Sequence, residues 1–256
     1  MRLSAALDGH EVHSLDERVT LLDIVETPPA LTFQTEDRPA APGAAVTAAH
    51  TGPRLVTLVL CVRERDPVRR QRLTDALTQW AQGRSLRLST RPGRVLSVRC
   101  VNLPAISALG WTEEVRLAFA AMECPYWRSE QASRLAFTSA AWSGSLTAEG
   151  TAPCPVEAEL TPDEGAVSQV SLAVGDTAAV LTGLDLQAGQ TLRLSVEDGW
   201  LLRMTVDRNN GVLENLLSVL APASDDLLMA APGENAVLFS ADAPVRVRLS
   251  ARGCWL

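Results

Sequence analysis

The stretch Val115–Arg128 reads VRLAFAAMECPYWR. As far as Phe119 its large apolar side chains occupy alternate residues, which is the period of a strand with one face in a core. Pro125 has no amide hydrogen to give to a neighbouring strand and fixes its own φ, so we expect the ladder to stop there. The stretch therefore predicts a buried strand that leaves the sheet through the aromatic residue Trp127.

The segment before this strand predicts a second strand followed by a helix. Leu55–Arg63 is apolar at nearly every residue, so both of its faces should be covered. Asp66 can cap a helix, and Pro67 suits the first turn, where a missing amide is harmless. A single apolar stripe then reaches Trp80, and we expect Gly83 to end the helix in a left-handed conformation. Four aromatic residues are predicted as core anchors: Trp80, Phe119, Trp127 and Trp200.

An arm without core periodicity separates a predicted strand at Ala30–Thr35 from these elements. Residues 36–52 are rich in Ala, Pro, Gly and Thr, so we expect either a disordered loop or an arm that gains order on a partner. The candidate subunit-contact residues in this arm are Glu36, Asp37, Arg38 and His50.

The second half of the chain has a different pattern. Ser139–Gly150 is small and polar and is interpreted as a link. Short strands with turn signals follow from Val156 onwards, which is typical of a β-sandwich or jelly roll. The predicted fold class is therefore mainly β. An α+β domain at residues 1–137, with one main helix packed on a sheet, precedes a β-sandwich domain at residues 138–256.

Composition excludes several classes of function. The 23 basic residues are all Arg, the net charge is −7 and the pI is about 5.1. A basic excess is typical of nucleic-acid binders, so we expect no specific nucleic-acid binding. The Arg-dense patch Arg63–Arg72 is interpreted as a solvated or subunit-facing helix surface. No apolar run is long enough for a membrane helix, and the acidic N-terminus does not resemble a secretory signal.

No constellation of residues supports catalysis. The three histidines and five cysteines lack metal-ligand spacing, and no phosphate-binding or nucleophile motif occurs. Adjacent carboxylates such as Glu197 and Asp198 are interpreted as solvated turns, which leaves a glycosidase as a third choice. A carbohydrate-binding module stays open as the alternative, provided that Trp142 or Trp200 is exposed. We therefore expect no enzyme, no catalytic residue, no cofactor and no metal.

The order of these elements resembles a known family. The first half of the chain is similar to the N-terminal domain of phage distal tail (Dit) proteins. The similarity lies in the order of four elements: a two-faced strand, a capped helix ending in W-x-x-G at Trp80–Gly83, a hairpin around R-P-G-R, and a final strand with F-x-A-x-x-C-P-Y-W at Phe119–Trp127. The stretch Leu228–Asn235 is similar to part of that family's galectin-like β-sandwich.

The resemblance implies a structural role in a virion tail, assembled from protein made in the bacterial host cytoplasm. The N-terminal domains of such proteins build a hexameric ring, and their galectin-like domains project outward. The implied partners are other copies of the chain, the tail tube protein and the tail-tip hub or tail-associated protein. The tape measure and receptor-binding proteins are further implied partners.

Overall fold

The computed structural model describes residues 3–38, 42, 44–106, 111–197, 200–208 and 213–256, and leaves the side chain of Asp37 undescribed. It confirms a mainly β fold with one α-helix among the described residues. The chain divides into two compact units, Met1–Trp127 with Leu256, and Arg128–Trp255. This division precedes the boundary expected after residue 137, which lies inside a long strand of the second unit.

The first unit contains the helix and the shorter strands. Its elements in chain order are β1 (Ala5–Leu7), β2 (His10–Glu11), a 3-10 turn (Val12–Ser14), β3 (Val19–Thr27), β4 (Leu31–Asp37), β5 (Ala44–Thr51), β6 (Arg54–Arg63), α1 (Pro67–Trp80), β7 (Ser85–Leu88), β8 (Arg94–Ser97), β9 (Arg99–Cys100) and β10 (Thr112–Ala121).

An antiparallel sheet with the strand order β3-β6-β10-β9 is central to the first unit. Strand β10 pairs with β6 along its whole length, with Phe119 opposite Val56. The inward residues of both strands are fully buried, as the alternation in the sequence predicts. The other face is only partly covered, because Leu55 is exposed. The expectation that both faces of this strand are buried is therefore wrong at Leu55.

Helix α1 begins where local signals place it. The Asp66 side chain accepts a hydrogen bond from the Arg69 amide at 2.9 Å, and Pro67 is the first helical residue. Gly83 follows the helix, but its φ is not in the left-handed region. A Cβ at that position would lie 2.8 Å from the Leu7 Cβ, so glycine is needed there for close packing and not for a helix stop.

The second unit is made of strands. Beginning at the boundary residue Trp127, they are β11 (Trp127–Ser129), β12 (Ser133–Ala148), β13 (Cys154–Pro162), β14 (Val167–Val174), β15 (Thr177–Leu186), β16 (Thr191–Glu197), β17 (Leu201–Asp207), β18 (Leu213–Asn215), β19 (Met229–Ala230), β20 (Gly233–Ala251) and β21 (Cys254–Trp255), with a 3-10 turn at Leu217–Val219.

Strand β20 organises this unit. One edge of β20 pairs with β12 from Gly233 to Ala251, while its other edge pairs first with β14 and then with β13. It is a single 19-residue strand that continues through Pro244. The predicted link Ser139–Gly150 is wrong, because most of it belongs to the 16-residue strand β12.

Candidate interaction surfaces

A separate hairpin replaces the arm that the sequence predicts. Strands β4 and β5 form a two-stranded antiparallel sheet, and within the described residues they pair with no third strand. Regular structure in residues 44–51 corrects the expectation of a segment without secondary structure. Both outer edges of the hairpin carry backbone groups that no strand of the described chain satisfies.

The hairpin is amphipathic, and its apolar face is open. Leu31 and Phe33 alternate on β4, and Val46 lies opposite Thr35 on the same face. These three apolar side chains are 58%, 55% and 61% exposed. Exposed apolar clusters on an otherwise polar surface mark interaction sites.

Two of the predicted contact residues, Glu36 and His50, lie on the other face of this hairpin. Glu36 is exposed near the end of β4, and His50 is exposed opposite Thr32. Arg38 is exposed just beyond the strand, and the side chain of Asp37 lies outside the described residues. The structure therefore places Glu36 and His50 on a polar face. The apolar face, which has the stronger physical reason to bind, was not among the predicted contacts.

Strand β12 provides a second surface. It pairs with β20 alone in the described chain, so its other edge is unpaired along 16 residues. Arg134 is its single charged residue, and it contains no proline. Protein edge strands usually carry charges, proline or a short length to prevent pairing with other chains. This edge has almost none of these safeguards.

An aromatic stack lies along β12. The rings of Phe137 and Trp142 are parallel with centroids 4.1 Å apart, and Phe239 meets Phe137 edge-on at 5.4 Å. A Cβ on Gly144 would lie 2.2 Å from the Trp142 ring, so the indole lies across this glycine. Trp142 is half-buried, and one of its ring faces is already covered by Phe137. That covered face is not available for stacking on a sugar.

A charged groove follows the outward side of the same sheet. Its volume is about 430 Å³, and its charged lining residues are Arg134, Glu157, Glu159, Arg193 and Arg248. Arg193 and Arg248 both approach the Glu159 carboxylate, at 3.4 and 3.8 Å. Three guanidinium groups and two carboxylates give this part of an acidic protein a local excess of positive charge.

Two predicted core anchors contact each other in the first unit. Trp80 meets Phe119 edge-on with centroids 6.2 Å apart, and both side chains are buried. The Trp80 Nε1 donates a hydrogen bond to the His10 carbonyl oxygen at 2.7 Å. The indole thus fixes the β2 segment as well as filling space between helix and sheet.

The other two anchors differ from each other. Trp127 is fully buried. Trp200 precedes β17 instead of belonging to it, has a φ of 57° and is only half-buried. The alternation that buries Met204 and Val206 in β17 does not extend to this turn.

Arg70 is a buried residue that sequence reasoning missed. It belongs to the Arg-dense patch interpreted as a solvated or subunit-facing helix surface, yet it is 2% exposed. Its guanidinium donates to the Glu64 carbonyl oxygen at 2.8 Å and to the Glu113 carboxylate at 2.6 Å. The position of Arg70 on the apolar side of the helix was the available signal.

The described residues do not form a metal site. They include no group of three His, Cys, Asp or Glu side chains that could hold a metal ion. Burial raises the pKa of the Cys154 thiol to about 11, although nearby Arg128 opposes the shift.

No helix in the described part of the chain is both long and apolar enough to cross a membrane.

Comparison with solved structures identifies similar folds. The chain is similar to the crystal structure of the SPP1 Dit protein, a hub of the adsorption apparatus in phages that infect Gram-positive bacteria. The TM-score is 0.69 at 12% identity, covering 98% of this chain and 99% of that one. It is also similar to chains of the phage P2 baseplate in its activated conformation with Ca and with Sr. Their TM-scores are 0.55 and 0.53, each at 7% identity, with 97% or more of both chains covered.

Comparisons at the level of sequence give no match to a family model or to a curated protein. The structural likeness nevertheless extends over nearly the whole chain and over nearly the whole length of each neighbour. The resemblance to phage distal tail proteins is therefore confirmed at the level of the fold.

Proposed function

We propose that this protein is a structural component of a phage tail, a distal tail protein whose copies form a hexameric ring. The observation that carries the proposal is the match to SPP1 Dit across 98% of the chain. In this role the first unit builds the ring, and the second unit is a galectin-like platform that projects from it. No catalytic step is assigned to the chain.

The ring joins the tail tube protein on one side to the tail-tip hub or tail-associated protein on the other. The tape measure and receptor-binding proteins are further partners in this scheme. The net charge of −7 agrees with a ring that DNA must cross without binding, because phosphate is repelled by an acidic wall.

The hairpin β4–β5 contacts the neighbouring copy in this ring. Its open apolar face supports the proposal, since Leu31, Phe33 and Val46 lose exposed area only if another surface covers them. The predicted contact residues Glu36, Asp37, Arg38 and His50 then border that contact.

Mass photometry and negative-stain electron microscopy of the purified protein test the assembly. We expect particles with the mass of six 27.4-kDa chains and a six-fold ring in projection. Phe33→Ser should weaken assembly by removing an apolar contact, while Leu201→Ser, at an exposed apolar residue outside the hairpin, is the matched control. A chain that stays monomeric at micromolar concentration would contradict the ring.

A further inference from the structure

We propose that β4 of one copy adds as an antiparallel strand to the free edge of β12 in the next copy, along residues 133–139. The inference rests on the proposed self-assembly and adds a contact from the first unit of one copy to the second unit of the next, beside the contacts between first units that build the ring. Among the described residues, no strand pairs with the outer edge of β4 or with the free edge of β12, and joining these two edges satisfies both rows of backbone groups at once.

The lengths and composition of the two segments agree. Strand β4 has seven residues, and the straight part of β12 before its bulge at Ser139 and Ala141 spans residues 133–139. Neither segment contains proline, so each can form a continuous ladder.

The faces of the two strands also agree. On β12, Leu135 and Phe137 are half-buried on the inner face of the sheet, whereas Arg134, Ala136 and Thr138 are exposed on the outer face. On β4, Leu31 and Phe33 form the apolar face, and Thr32, Gln34 and Glu36 form the polar one. Adding β4 with its apolar face inward extends the inner face and covers the hairpin side chains that are now exposed.

Charge then selects one register. With Glu36 opposite Arg134, antiparallel pairing places Gln34 opposite Ala136 and Thr32 opposite Thr138. On the inner face the same register places Phe33 opposite Phe137. A shift by one residue would turn Phe33 to the polar face, because side chains alternate with a period of two.

The surroundings of Arg134 favour a carboxylate at that point. Arg193 and Arg248 line the same groove, and the Glu159 carboxylate is shared between them. Glu157 lies in the groove as well, with its carboxylate 3.5 Å from the Ser250 hydroxyl. An exposed ion pair adds little affinity but discriminates between registers.

The symmetry of this contact suits a ring. The hairpin and the β12 edge are different surfaces, so every copy gives one and receives one. Such head-to-tail contacts form closed rings when the rotation between copies closes.

Charge reversal tests the register. Arg134→Glu and Glu36→Arg should each raise the dissociation constant of assembly about tenfold by placing like charges together. The double variant, with both changes, should restore assembly. Arg203→Glu is the matched control. Arg203 is an exposed residue of β17 outside this contact, so its charge reversal should leave assembly unchanged.

Disulfide trapping tests the contact directly. In a Cys100→Ser background, which removes the half-exposed native thiol, Thr32→Cys and Thr138→Cys should cross-link copies into a covalent ladder. Mixing two chains that each carry one of these cysteines should give covalent dimers. Thr32→Cys with Ala136→Cys, displaced by about 7 Å along the strand, should cross-link poorly.

The outcomes separate this inference from the proposed function. A wild-type chain that remains monomeric overturns both. A hexamer that forms no Thr32–Thr138 cross-link and is insensitive to both charge reversals overturns the strand addition alone and leaves the ring intact. Cross-linking at Ala136 as efficient as at Thr138 overturns the register.

Discussion

The Trp127 indole donates its Nε1 hydrogen to the Glu26 carboxylate at a distance of 3.2 Å. The same carboxylate is 3.2 Å from the Arg91 Nε and 3.8 Å from an Arg54 nitrogen. Arg54 in turn donates to the Pro125 carbonyl oxygen at 2.8 Å. The aromatic residue after the proline is therefore held by a largely buried charge cluster as well as by packing.

Trp127→Phe should lower the free energy of unfolding by about 1–3 kcal/mol, because it removes a donor from a carboxylate that has little access to water. Urea denaturation followed by circular dichroism measures the change. Trp111→Phe is the control: Trp111 is exposed, so its replacement should change the free energy by less than about 0.5 kcal/mol. Equal effects at the two positions would contradict the role of the hydrogen bond.

Glu26→Gln should destabilise the protein more, by about 3 kcal/mol, because it leaves the Arg54 charge buried without its partner. Burial lowers the pKa of Arg54 below its ordinary value, while the Glu26 carboxylate raises it. The comparison is with Glu114→Gln, which breaks the exposed pair of Glu114 and Arg116 and should cost less than about 1 kcal/mol. Urea denaturation measures both changes, provided that the dependence of the unfolding free energy on urea concentration is the same in all variants. If Glu26→Gln lowers the free energy of unfolding no more than Glu114→Gln does, the pair of Glu26 and Arg54 is not a buried one.

Sequence reasoning predicted the parts of this fold that depend on local signals. The cap at Asp66, Pro67 and the apolar stripe to Trp80 are contained within one segment, so they identify α1 without tertiary information. The alternation up to Phe119 likewise identified β10, because a strand with one buried face repeats every two residues.

The remaining features depend on contacts between distant residues or on weak local signals. The bulge at Ser139 and Ala141 moves the inward positions of β12 from odd to even numbers, so the alternation does not continue through the strand. The alanines of β5 have low strand propensity, and their pairing partners lie in β4. Arg70 is buried because Glu113, far away in the sequence, reaches its guanidinium.

Trp80→Ala should lower the free energy of unfolding by about 3–5 kcal/mol, since it leaves a cavity beside Phe119 and removes the hydrogen bond to His10. Trp80→Phe keeps most of the volume but loses the donor, so its effect should lie between those of wild type and Trp80→Ala. Thermal unfolding of the three proteins gives this order. If Trp80→Phe were as damaging as Trp80→Ala, the hydrogen bond and not the volume would be the main contribution.

Glu64 should make the stability of the first unit depend on pH. The Asp66 and Arg65 amides donate to its carboxylate at 3.0 and 2.7 Å, and Arg18 lies 3.1 Å away. The Asp66 hydrogen bond is the largest cause that lowers the Glu64 pKa below its ordinary value, while burial acts in the opposite direction.

A carboxyl group whose pKa is lowered by folding stabilises the folded state fully above its unfolded-state pKa. That contribution is lost as the pH falls through the lower folded-state pKa. Glu64→Gln should therefore reduce the urea midpoint at about pH 7, and its difference from wild type should shrink towards about pH 3. Glu17→Gln, at an exposed carboxylate nearby in the sequence, is the control and should leave the urea midpoint at about pH 7 unchanged. A Glu64→Gln deficit that is constant across this pH range would show that the carboxylate acts by packing and not by its charge.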